Sequence, residues 1–128
     1  MGTKGKVLLM DDEEIIIDVS REVLKFLGYE ADFAKEGGAA LRLYKQEKEA
    51  GQPFDLVIVD LTIPEGMGGR ETIAKLREYD PGVRAVVSSG FANDPVVQDY
   101  ASFGFSGRLT KPYRINEMKA LLEDLIHK

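Results

Sequence analysis

Four apolar stretches of this chain run into residues that can do chemistry. Lys6–Met10 is followed by Asp11-Asp12-Glu13, and Asp55–Asp60 ends in a carboxylate. Val83–Ser88 leads into Ser88-Ser89-Gly90, and Ser106–Thr110 into Lys111-Pro112. Clustered carboxylates repel: two charges about 4 Å apart cost on the order of 4 kcal/mol at an effective dielectric near 20. A hard divalent cation with oxygen ligands offsets that repulsion, and Mg2+ suits a site of few carboxylates plus water and phosphate. Lys111 supplies a second compensating charge. A cation, a lysine and an attacking carboxylate are the parts that phosphoryl transfer needs, and the Ser89 hydroxyl can donate to a phosphoryl oxygen. Taken singly, each element has a plainer reading. Acids after a strand usually serve the next helix N-terminus, and Ser-Gly and Lys-Pro are common strand exits. Their joint placement at strand ends favours the functional reading.

The elements that would position these groups follow from periodicity. Strand-like runs at Lys6–Met10, Tyr29–Ala34, Asp55–Asp60, Val83–Ser88 and Ser106–Thr110 alternate with helical stretches. Val57-Ile58-Val59 and Ala85-Val86-Val87 are continuously apolar, as parallel strands covered on both faces are. Ile15, Ile16, Val19, Val23, Phe26 and Leu27 recur at helix spacing before a stop at Gly28. Gly38–Ala50 and Arg70–Tyr79 give two more helices, the latter closed by the Asp80-Pro81-Gly82 turn. Asn93 or Asp94 caps a fourth, with Pro95 at its first position. The last helix places Ile115, Met118, Leu122 and Leu125 on one stripe. Five strands alternating with five helices predict an α/β doubly wound parallel sheet, whose ligands bind beyond the carboxyl ends of the strands. Residues 1–128 read as one domain, with an ordered core over about 5–127.

Composition narrows the class. There is no cysteine, which excludes disulfide and thiol chemistry and points to the cytoplasm. The net charge is −5 with no basic run, a poor match for nucleic acid. No segment has the length expected of a signal peptide or membrane span.

Val57-Ile58-Val59-Asp60-Leu61-Thr62-Ile63-Pro64, followed by Gly66-Met67-Gly68-Gly69, resembles the phosphorylation loop of the response-regulator receiver family. The likeness covers essentially the whole chain. It implies a (βα)5 flavodoxin-like sheet of order 2-1-3-4-5 and a domain of a two-component phosphorelay. Asp60 matches the phosphoacceptor. Asp11 and Asp12 match the acidic pair that, with Asp60 and the Thr62 carbonyl, holds Mg2+, with Mn2+ as the alternative. Ser89 and Lys111 match the hydroxyl and lysine that read the phosphoryl group, and the Lys111–Pro112 bond is expected to be cis. The implied partner is a histidine kinase or phosphotransfer domain, and a homodimer through the last elements stays open. More narrowly, Ser88-Ser89-Gly90-Phe91 and Gly104-Phe105-Ser106-Gly107 look like receivers fused to hybrid sensor histidine kinases.

Two positions depart from the family pattern. Arg108 stands where relatives carry an aromatic switch residue, and it is expected to stay at the surface, because burying an unpaired guanidinium is costly. That bears on the switching surface of the fourth helix, fifth strand and fifth helix. Thr62 and Phe91 occupy the positions that influence the hydrolytic water, which predicts slow self-dephosphorylation. His127, the only histidine, reads as a solvated last-turn residue, so the chain is not an enzyme that donates phosphate from its own histidine. Competing classes fit less well. A dehalogenase-type phosphohydrolase wants a second Asp where Thr62 stands, and Asp11-Asp12-Glu13 would repel the phosphate of a flavodoxin-like cofactor. A degenerate docking module would not need Asp11, Asp12, Asp60, Ser89 and Lys111 all intact.

Overall fold

The computed structural model describes residues 4–63, 66–91 and 93–127. Pro64 of the expected phosphorylation loop and the Met1-Gly2-Thr3 start lie outside the described residues. Among those described, the strands are β1 (Lys6–Met10), β2 (Glu30–Ala34), β3 (Leu56–Asp60), β4 (Ala85–Ser89) and β5 (Gly107–Thr110). They form one parallel sheet of order β2-β1-β3-β4-β5. β1, β3 and β4 are buried at every position, which is why they read as unbroken apolar runs. The edge strand β5 alternates buried and exposed.

Two cores sandwich the sheet. Leu8, Met10, Val57, Val59 and Val87 face one side with Tyr44, Ile73 and Leu76, while Leu9, Ile58, Val86 and Leu109 face the other with Ile17, Leu24, Met118 and Leu122. Helix α1 (Glu14–Leu27) ends at Gly28, whose φ of 92° is the left-handed conformation of a helix stop. Its inward stripe is Ile17, Ser20, Val23, Leu24 and Leu27, whereas Ile15, Val19 and Phe26 are exposed. Helices α2 (Gly37–Glu49) and α3 (Gly69–Tyr79) begin one residue before their expected starts. Helix α5 (Ile115–Ile126) buries Met118 and Leu122 but leaves Ile115 exposed.

The fourth helix departs most from expectation. α4 is a single turn, Pro95–Gln98, capped by the Asp94 side chain on the Val96 N–H, and a 3-10 turn follows over Tyr100–Phe103. Asp99 sits at the break, accepting from the Ser102 backbone at 3.1 Å and from its hydroxyl at 2.9 Å. Such side-chain bonds offer the backbone an alternative to continuing a helix.

Candidate functional site

Asp11 lies one residue past β1 and Asp60 closes β3, so adjacent strands deliver both carboxylates to the same end of the sheet. Both are buried, and Asp12 is half-buried beside them. One oxygen from each of Asp11, Asp12 and Asp60 falls within a mutual 4.8 Å. Just past Asp60, a Cβ on Gly69 would stand 2.7 Å from the Asp60 carbonyl oxygen, so only glycine lets α3 start against the end of β3.

Lys111 reaches in from the turn after β5. Its ammonium lies 2.9 Å from Asp11 Oδ2, 3.2 Å from Asp60 Oδ2 and 3.3 Å from Glu13 Oε1. Asp11 Oδ1 accepts from the Glu13 N–H at 2.9 Å, and Asp60 Oδ1 from the Thr62 N–H at a long 3.4 Å. Asp11 Oδ2 and Asp60 Oδ2 make no hydrogen bond, and the Lys111 ammonium stands by both as an ion-pair partner. Burial, joined by the Asp11 charge and opposed by Lys111, pushes the Asp60 carboxyl up to about 6. Burial works against the Lys111 charge, but Asp11 and Asp60 together hold its pKa above the ordinary lysine range. Buried carboxylate oxygens short of donors, within reach of a third carboxylate, suit a hard divalent cation.

Ser89 is buried at the end of β4, and its Oγ accepts from the Phe91 N–H at 3.0 Å. A cleft of about 520 Å3 opens above these groups, lined by Asp12, Asp60, Thr62, Ser89, Phe91 and Lys111 among others. Asp11, Asp12, Asp60, Ser89 and Lys111 thus meet, and Thr62 and Phe91 stand at the rim. The Lys111–Pro112 bond is cis. Arg108 is exposed on β5, beside a groove with Val97 and Leu121 and away from the carboxylates. His127 caps the far end of α5, its ring 6.0 Å from that of Tyr29.

Three residues to which the sequence assigns no role adjoin the site. Glu13 shares Lys111, although only its place beside the acidic pair hints at it. Tyr113 and Ser88, both buried, bond hydroxyl to hydroxyl at 2.5 Å under the site. Ser88 follows the apolar run Ala85-Val86-Val87 of β4 and is itself buried, and a buried hydroxyl needs a partner.

A doubly wound sheet of this order, with an acidic trio and a lysine at its carboxyl edge, defines a flavodoxin-like phosphoacceptor module. The sequence model of the response regulator receiver domain matches residues 7–123, and the chain belongs to that family of two-component phosphorelay domains. It is 27% identical to the sensor kinase CckA of Brucella abortus over its whole length, spanning 13% of that protein. It is 26% identical to the chemotaxis protein CheY of Halobacterium salinarum, over 94% of this chain and 96% of that one. Among solved structures it superposes with a TM-score of 0.84, at 21% identity and full coverage of both chains, on the receiver domain of a Pseudomonas aeruginosa sensor histidine kinase that has a magnesium ion coordinated in its active-site cleft. Relatives therefore include both short receivers and small parts of much longer kinases.

Proposed function

We propose that Asp60 accepts a phosphoryl group from the phosphohistidine of a histidine kinase or phosphotransfer domain, and that residues 1–128 make up one receiver unit. The observation that carries this reading is the convergence of Asp11, Asp12, Asp60 and Lys111, with the largely buried Asp60 side chain lining an open cleft. Asp11, Asp12, Asp60 and the Thr62 carbonyl would hold Mg2+ or Mn2+, which when bound offsets the repulsion among the carboxylates and the charge on the phosphoryl oxygens. An Asp60 carboxylate oxygen attacks phosphorus in line. The phosphorus–nitrogen bond breaks, and its electron pair stays on the donor imidazole, which is neutral on leaving if its other nitrogen carries the proton. Lys111 follows the charge from the carboxylate to the new acyl phosphate. Ser89, whose oxygen is held by the Phe91 N–H, turns its proton to a phosphoryl oxygen. Water later attacks phosphorus, releasing inorganic phosphate and restoring the carboxylate. The chemistry is thus self-directed, and the product is a changed surface around α4, β5 and α5 with Ser89 and Arg108 as its switch positions.

Incubation with acetyl phosphate and Mg2+ tests the reading. The chain should take up one acid-stable, base-labile phosphoryl group, and Asp60→Asn should take up none. Labelling that survives Asp60→Asn, or that proceeds undiminished in chelator, would overturn it.

A further inference from the structure

Lys111 can place its ammonium only as well as its backbone is fixed, because a flexible four-carbon stem follows. That backbone leaves β5 between two exposed residues, Thr110 and Pro112. Two ties hold it, and both run to the end of β4. The Lys111 N–H donates to the Ser89 carbonyl at 2.9 Å. Two residues on, the Tyr113 and Ser88 hydroxyls meet at 2.5 Å.

Ser88 is the register partner of Asp60, so their side chains leave the sheet on the same face. Tyr113 belongs to the core on that face, with Leu9, Ile58 and Met118. The hydroxyl pair is therefore buried beside the acceptor carboxylate and bridges the strand next to Asp60 to the turn that carries Lys111. An ordinary apolar contact would satisfy the core there. Two hydroxyls that can satisfy only each other fix a distance as well as filling space.

From this placement we propose that Tyr113, paired with Ser88, is a positioning residue for phosphoryl transfer, setting where the Lys111 ammonium stands relative to Asp60. The inference rests on the reading of Asp60 as acceptor. Its test compares Tyr113→Phe, Ser88→Ala and the double variant with the unaltered chain. Acetyl phosphate labelling is followed in saturating Mg2+, well below each melting midpoint, with Mg2+ affinity measured by calorimetry. Each single substitution should slow labelling on the order of threefold to tenfold without changing Mg2+ affinity. The double should be no slower than the slower single, because both remove one tie. It also leaves no unpaired buried hydroxyl, so it keeps the test decisive should a single variant fail to fold. A pair that matters only to the core would lower the melting midpoint and leave the rates alone. Labelling of the folded variants at the unaltered rate, or effects that multiply in the double, would overturn the inference while the acceptor reading stands. Labelling of Asp60→Asn would instead remove the acceptor reading, and this inference with it.

Discussion

Burial and the Asp11 charge push the Asp60 carboxyl up to about 6, against the pull of Lys111. An acid with its folded value raised contributes stability in its protonated form. That contribution is present below the unfolded value near 4 and is lost as pH rises through about 6. In metal-free buffer at pH 7 the ionised carboxylate therefore works against the fold, and Asp60→Asn should stabilise it by about 1–3 kcal/mol. Thermal melts in chelator check this: the advantage should shrink at pH 5 and again when Mg2+ is restored. A destabilised Asp60→Asn would show that the charge is better compensated than the geometry suggests. If Asp60 is the acceptor, Thr62 and the exposed Phe91 at the rim offer no group to orient a hydrolytic water as a carboxylate would, and the phosphoryl group should be long-lived. Replacing Phe91 by Glu should speed loss of label about tenfold, followed after removal of donor. Unchanged decay would mean that the attacking water is placed from elsewhere.

Among the elements, α2 and α3 meet at a charged knot away from the site. Asp80, capping α3, accepts from the Tyr44 hydroxyl and the Lys48 ammonium, both at 2.7 Å, and from the Gly82 N–H at 3.1 Å. Lys48 first, then Tyr44, hold its carboxyl below the usual range. A lowered acid contributes stability above its unfolded value near 4 and loses it as pH falls through the folded one. Asp80→Ala should cost about 1–3 kcal/mol at pH 7, chiefly from the stranded tyrosine hydroxyl, with the difference narrowing below pH 4 in urea melts. The sequence marks Asp80-Pro81-Gly82 as a turn, and the Gly82 and Val83 N–H groups close on Asp80 as a turn requires. It gives no sign of Tyr44, 36 residues away, because long-range partners leave no local signature. Phase is equally hidden in α1. Ile15-Ile16-Ile17 offers three equivalent starts, and the packing that selects Ile17 is tertiary. α4 fails to extend for a local reason, Asp99 with Ser102, which periodicity in Val96 and Val97 does not reveal.

At the scale of the whole molecule the sheet order and the meeting of Asp11, Asp12, Asp60, Ser89 and Lys111 were legible, because buried parallel strands announce themselves and these residues lie at or just past the ends of β1, β3, β4 and β5. The hydroxyl pair beneath them was not, since Ser88 and Tyr113 meet only once β4 and the turn after β5 are packed. β5 is an edge strand, and with α4 cut to one turn Arg108 lies exposed along it near Val97 and Leu121. Sheet edges are templates for unwanted pairing, and charged side chains blunt them. Arg108, exposed on this edge strand, is placed to blunt it in that way. Restoring an aromatic with Arg108→Tyr should promote concentration-dependent self-association, seen as a rising sedimentation coefficient. A variant that stays monomeric at high concentration would show that the uncovered edge is protected without it. Should Arg108→Tyr associate, the residue that departs from the aromatic pattern would then also keep the edge beside so short a fourth helix from pairing with other chains.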